Sequence, residues 1–407
     1  MASAAQEIPT HVPPEMVGDF NLFTSPGMPP TRGGDPQGAI SHLHQGPRIF
    51  YSPNNTRTGR GTWVITRAED QRRVLQDAES FSSHRAIFAS ALGEDWPMIP
   101  LEIDPPSHAA YRTMLNPLFS PRKVMQMEAA VRERAVALIE AIKAKGTDCD
   151  VMTDFAFPFA VNIFLRFIGL PDSRLDEFVE WANDQLHGDD VKRPAAARKI
   201  VAFIDELAAL RRREPADDFM TFVVQADVEG RKLTDREVRG IGVLILIAGL
   251  DTVAAAIGFD LNYLATHPDD QHALRDDPSR IVLAVEELLR AYPTVQLVRV
   301  ATRDMDFHGA PIRTGDYISC PTMLANRDPR EFPDPDTIDL EREDNRHVAF
   351  AYGPHRCLGS HLARREIVIG LEEWLARIPN FRIKQGTAPL TFGGHVFGIE
   401  ELELDWS

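Results

Sequence analysis

Cysteine is scarce in this chain, with Cys149, Cys320 and Cys357 the only three in 407 residues. An odd, widely spaced set excludes a disulfide framework and fits a reducing compartment. A buried, inert thiol is the ordinary reading of each. Basic charge is also short: 44 Lys+Arg face 60 Asp+Glu, a net charge of −16. That excludes nucleic acid as a general partner, since phosphate binding needs a positive surface, although a local basic patch can exist within an acidic whole. Residues 1–16 carry neither a basic n-region nor an apolar h-region, so no signal peptide is expected. Long hydrophobic runs are nearly lacking. The most apolar stretch, 241–259, approaches membrane-spanning length. Asp251 and Thr252 interrupt its middle, and a carboxylate at mid-bilayer is costly. A buried core helix in a soluble, cytoplasmic protein is expected, with no membrane anchor.

Internal repeats and low-complexity tracts are missing too, which leaves an ordinary globular composition of 43% hydrophobic and 26% charged residues. Residues 1–60 are rich in Pro and Gly and read as an irregular arm. The run 61–66 (GTWVIT) reads as a strand. Helical spacing follows over 69–76, 120–145, 152–168, 175–185, 194–212 and 217–226. Asp235 reads as the N-cap of the helix that enters the apolar run. Two more helices are expected over 267–277 and 278–291. Beyond Pro293 the texture turns to short strands, with turns at His308-Gly309 and Thr314-Gly315, and then to a Pro-rich meander over 326–336. The expectation is one mainly α domain over 1–407, mostly helical over 67–291, with a minor β region over 292–407.

One cysteine stands apart. Residues 350–359 read FAYGPHRCLG and lead into an apparent helix. Gly353 and Pro354 shape a tight loop, and Gly359 permits close backbone approach beyond the thiol. The helix N-terminus would aim its N–H groups at the sulfur and lower the pKa of Cys357. A zinc site built from His355, Cys357 and His361 is a rival, but it lacks the paired ligands and fourth partner of a structural zinc.

The spacing Phe350-x-x-Gly353-x-x-x-Cys357-x-Gly359 resembles the haem-binding signature of the cytochromes P450. The resemblance extends over nearly the whole chain and is nearest to the bacterial camphor hydroxylase group, through CLGSHLARRE, EIDPP, AGLDT, EELLR and RIPNF. It implies a cytochrome P450 fold, with haem b between the long central helix and the cysteine loop. It also implies Cys357 as the thiolate ligand to iron, which favours O–O cleavage.

Asp251 and Thr252 place an acid and an alcohol side by side within an apolar helix. Such a carboxylate must be paired or must work on protons. A helix N-cap is the bland alternative. The Gly249-x-Asp251-Thr252 pattern resembles the oxygen-activating helix of the family, in which a groove holds dioxygen, the threonine supports hydrogen bonding there and the acid relays protons. Gly249 is expected to open that groove by withholding a side chain.

Glu287 and Arg290 lie three apart on one helical face. By resemblance they form the Glu-x-x-Arg framework completed by Arg342 of the meander. His108 and Arg112, four apart, together with Arg299, His355 and Phe350, fall at places that contact the haem or its propionates in that family. The resemblance further places Ile87, Trp96, Leu101, Leu244, Ile247, Val295 and Val396 around the substrate. Trp96 replaces a tyrosine of the camphor enzyme and retains an indole N–H donor. An apolar lining of this kind suits a terpenoid or norisoprenoid, ionone-like or camphor-like.

No flavin or nicotinamide fingerprint occurs. The resemblance therefore implies an iron–sulfur ferredoxin as electron donor, fed by a separate NADH-dependent reductase. Arg112, Arg72 and Arg73 are candidate docking cations on an expected monomer. A peroxide-driven peroxygenase would not need the Asp251–Thr252 pair, and a haem gas sensor would need an output module that this chain does not show.

Overall fold

A computed structural model describes residues 8–406 apart from 57–58, 85–86, 91, 171 and 189–190, and omits the side chains of 87, 172, 182, 186 and 187. Helices dominate the described chain. Those that position the site are α1 (Ala68–Gln76), α2 (Ser107–Leu115), α3 (Pro121–Lys145), α4 (Phe157–Phe167), α5 (Lys192–Arg213), α6 (Asp235–Leu250), α7 (Thr252–Thr266), α8 (Ile281–Ala291) and α9 (Ser360–Arg377).

The start of α6 shows how local chemistry sets a boundary. The cap is Thr234, one residue before the expected Asp235. The Thr234 hydroxyl accepts from the Glu237 N–H, while the Glu237 carboxylate accepts from the Thr234 N–H at 2.7 Å. This reciprocal box satisfies two donors that a helix start leaves over, and it contributes about 1 kcal/mol.

The apolar run does not make one unbroken helix. Asp251 leaves helical geometry at φ −117° and ψ −39°, dividing α6 from α7. The combined stretch Asp235–Thr266 is long and apolar enough to cross a membrane, but 72% of its most apolar window is buried within the fold. It is a core element. Around α7 gathers the main apolar cluster, with Phe155, Phe159, Ile257, Leu371 and Trp374. A second cluster lies between α4, α5 and α6 and includes Trp96, Phe164, Ile241 and Leu246.

The N-terminal segment is less irregular than its composition suggests. Ile49–Ser52 pairs antiparallel with Thr62–Ile65, and Phe20, Leu22, Met28 and Ile40 enter the main core. Apolar side chains among the prolines supply the burial that orders this arm. In the five-stranded sheet Thr62–Ile65 runs parallel to Tyr317–Cys320, which pairs antiparallel with Leu297–Ala301. That register sets Arg299 opposite Ile318. The turn at His308-Gly309 has positive φ at both residues, 54° and 83°, as a two-residue hairpin demands.

Candidate active site

The cysteine loop is fixed from both ends. The Cys357 N–H donates to the Phe350 carbonyl at 2.8 Å, and the Arg356 N–H donates to the Gly353 carbonyl at 3.1 Å. Gly353 has φ +72°, and a Cβ there would stand 2.7 Å from the Leu75 carbonyl oxygen of α1. Glycine is required on both counts. Behind the loop, the Arg364 guanidinium lies 4.3 Å from the Phe350 ring centroid and pairs with Glu286.

Cys357 is exposed by area, yet the protein around it desolvates the thiol strongly enough to push its pKa up. The two observations together set the sulfur on the wall of an interior cavity. The Gly359 N–H hydrogen bond and the Arg112, Arg364 and Arg356 charges pull the other way. The expectation of a net lowered pKa is therefore corrected: burial outweighs the helix N-terminus and the guanidinium groups.

Near this loop is a group of nitrogen donors. The His108 and His355 rings pack at a 45° tilt with centroids 4.2 Å apart, and the His355 Nε2 lies 4.0 Å from Asp104 Oδ1. His108 is buried, its Nε2 has no partner, and burial, reinforced by Arg112, pushes its pKa down to about 4. At neutral pH His108 is an uncharged hydrogen-bonding group rather than a cation. Arg299 is buried in the sheet and Arg112 is half-buried, donating to the Arg356 carbonyl at 2.6 Å. Asp104, the carboxylate facing His355, is already engaged by the Ser82 hydroxyl and the Ser83 N–H.

This donor set fits a haem: a thiol on a cavity wall, and a cluster of cationic and N–H groups for propionates, among them the unpartnered His108 Nε2. Cys357 would hold the iron, and His108, Arg112, Arg299 and His355 would hold the edge. When bound, the haem supplies the activation of dioxygen.

At the α6–α7 break, the Thr252 hydroxyl donates to the Ala248 carbonyl at 3.1 Å. Ala248 is exposed and Leu244, Ile247, Gly249 and Thr252 are partly open between buried neighbours, which puts them on a cavity-facing side. Asp251 is buried with Oδ2 unpartnered, and desolvation alone pushes its pKa up to about 7. A carboxyl that titrates near neutrality can both give and take a proton. Gly249 plays a different part from the one expected. Its missing Cβ points to Phe164 of α4, 2.5 Å away, so the glycine admits a close helix approach and does not open a groove.

Leu101, Leu244, Ile247, Val295 and Val396 are all partly open, and Val295 and Val396 are bridge partners. Ile87 lies outside the described side chains. Trp96 departs from expectation. It is fully buried, packs on Phe88 with centroids 5.8 Å apart, and its indole N–H donates to the Glu94 carboxylate, so it offers the cavity neither an open face nor a free donor.

The framework is assembled as a buried network. Arg290 binds Glu287 through two bonds of 2.8 and 2.7 Å and reaches the Asn326, Pro335 and Thr337 carbonyls. Arg342 reaches Glu287 at 3.1 Å. Asn345 and the Asp339 N–H also bind Glu287, at 3.0 and 2.9 Å. Sequence reasoning missed those two, because nothing in the spacing of a meander shows which residues turn inward.

Of the candidate docking cations, Arg72 pairs with Glu331 at 2.9 Å, whereas Arg73 lies 5.1 Å over the Phe307 ring. Arg72, Arg346, His347, Tyr352 and Arg356 line an open depression beside the cysteine loop.

Residues 185–400 match the cytochrome P450 family model. The chain is 66% identical to the probable cytochrome P450 127A1 of Sinorhizobium fredii, over 98% of this chain and 97% of that protein. It is 34% identical to the nocardicin C N-oxygenase of Nocardia uniformis, over 86% of this chain and 90% of the relative. Among solved structures it is similar to CYP101C1, with a TM-score of 0.87 and 32% identity over 98% of this chain and all of that one. CYP101J2 is similar with a TM-score of 0.88 and 30% identity, over 99% of this chain and 100% of that one.

Proposed function

The chain belongs to the cytochrome P450 family of haem-thiolate monooxygenases, and from that premise we propose that it hydroxylates a small hydrophobic terpenoid or norisoprenoid, ionone-like or camphor-like. The observation that carries this reading is the apolar set Leu101, Leu244, Ile247, Val295 and Val396, all partly open, with Leu244 and Ile247 just before Thr252 in the chain and Ile247 packed against a buried hydrophobic cluster. Binding there would be driven by desolvation of a hydrocarbon skeleton. With Trp96 engaged by Glu94, selection rests on shape.

In this reading Cys357 is the axial ligand, and His108, Arg112, Arg299 and His355 fix the propionates. Thr252 orients a hydrogen bond at the oxygen side, and Asp251 passes protons to it from outside. Glu287, Arg290 and Arg342 hold the meander behind the cysteine loop. Electrons arrive in the cytoplasm from an iron–sulfur ferredoxin, itself reduced by a separate NADH-dependent reductase, and the protein works as a monomer. The basic depression of Arg72, Arg346 and Arg356 supports an acidic docking partner.

Screening terpenoids and norisoprenoids for the low-to-high-spin haem shift, followed by product analysis, tests the substrate. An alcohol from an ionone-like compound is the expected result. Camphor bound tightly and oxidised with full coupling, while ionones give no shift, would overturn the choice.

A further inference from the structure

Glu286 and Glu287 are neighbours on α8, and the helix turns about 100° between them. Glu287 holds the meander, whereas Glu286 faces the segment that enters the cysteine loop. The Glu286 carboxylate accepts from Arg364 of α9 at 2.8 Å and from the His347 Nε2 at 3.1 Å. Burial works against its ionisation, but the bonds from Arg364 and His347 outweigh that and hold its carboxyl down at about 2. It is a fixed acceptor. His347 has only 3% of its side chain exposed, and its Nδ1 accepts the Ala349 N–H at 3.2 Å. That bond assigns the ring: Nδ1 offers its lone pair, and Nε2 carries the hydrogen given to Glu286. The segment so tied is a tight turn. The Val348 N–H donates to the Asn326 side-chain oxygen at 2.8 Å, and the Ala351 N–H donates to the Val348 carbonyl at 2.9 Å. Ala351 has φ +59°, a left-handed conformation that a Cβ disfavours, so the turn persists only while its neighbours hold it. Within it, Phe350 supplies the carbonyl that receives the Cys357 N–H and the ring that lies against Arg364.

We propose that His347 is a positioning residue for the thiolate: Glu286 orients its ring from α8, and its Nδ1 holds the Ala349 amide and with it the turn that places Cys357. The inference rests on Cys357 as the ligand to the haem iron, which the wild-type carbon monoxide spectrum tests by itself. Nδ1 is the arm that acts on the loop, and Nε2 is the arm that anchors the ring. His347 also lines the basic depression beside the loop, so the residue that sets the turn belongs to that surface as well.

The two arms can be cut separately. An asparagine oxygen falls near the place of Nδ1, and a glutamine N–H falls near the place of Nε2. His347→Asn therefore keeps the bond to Ala349, His347→Gln keeps only the bond to Glu286, and His347→Phe keeps neither. In each haem-loaded variant the measurement is the rate at which the ferrous carbon monoxide complex loses its far-red thiolate band in mild urea. His347→Gln and His347→Phe are expected to lose it roughly tenfold faster than wild type, the effect of about one hydrogen bond. His347→Asn, which loses only the anchor, should be faster by about two- to threefold. Hydrogen exchange at the Ala349 amide gives a readout independent of the iron and should follow the same order. Melting temperatures of the same proteins separate this from general support of the fold, which would make the band loss track stability rather than the arm removed. The Asn and Gln variants decide the matter even should His347→Phe fold poorly. A thiolate band lost as fast in His347→Asn as in His347→Gln would overturn the proposal, as would wild-type rates in His347→Gln.

Discussion

Asp251 concentrates the chemistry that individual residues bring to this site. Its carboxyl is buried, with Oδ2 unpartnered, and pushed up to about 7 by desolvation. The sign of the stability effect follows from that shift. An unfolded chain releases this proton near the ordinary carboxylate value, whereas the folded chain keeps it until near pH 7. The stability associated with the protonated acid is therefore complete at low pH and is lost as pH rises through that window, up to a limit on the order of 4 kcal/mol. Asp251→Asn should accordingly raise the melting temperature relative to wild type at pH 8 and change it little at pH 4, as read by thermal scans at both values. The same substitution should slow turnover by interrupting proton supply, whereas Thr252→Ala should keep consuming reductant and divert it to hydrogen peroxide. Normal rate and coupling in both variants, measured as product formed against NADH used, would remove the pair from the mechanism.

Gly249 shows the packing constraint that operates between elements. A Cβ there meets Phe164 at 2.5 Å, so Gly249→Ala should destabilise the fold by roughly 1–3 kcal/mol through overpacking. Phe164→Leu in the same chain should restore much of that loss in a denaturant titration; equal instability with and without it would place the strain elsewhere. The glycine was legible in the sequence as a motif position, but its partner was not, because Phe164 is 85 residues earlier and only the α4–α6 crossing brings them together. The same physics divides the rest. Helix spans such as Pro121–Lys145 follow from periodicity, and the Glu287–Arg290 pair follows from spacing on one helical face. The break at Asp251, the turning of Trp96 toward Glu94 and the neutral state of His108 arise from burial and distant neighbours, which no local pattern carries. Within the framework, Arg290→Ala would leave the fully buried Glu287 short of its main partner, at a cost of about 3–5 kcal/mol. Loss of soluble, haem-bound protein at ordinary growth temperature is the expected result.

Over the whole molecule, charge and cavity work together. The chain carries −16 overall, yet Arg72, Arg346 and Arg356 gather in one depression beside the cysteine loop. Reduction by an acidic ferredoxin should therefore slow as ionic strength rises, and Arg356→Gln should flatten that dependence without moving the haem spectrum. Salt-independent reduction kinetics would count against docking at this surface. The fold closes the loop containing Cys357 by hydrogen bonds, sets the sulfur on a cavity wall, and surrounds it with the Gly359 N–H and three arginines. All of this has one purpose if Cys357 is the ligand to haem iron. The carbon monoxide difference spectrum of the ferrous protein tests that most directly: a far-red Soret band in the wild type, shifted to the imidazole-ligated position in Cys357→His, is the predicted result, and a spectrum unchanged by that substitution would contradict it.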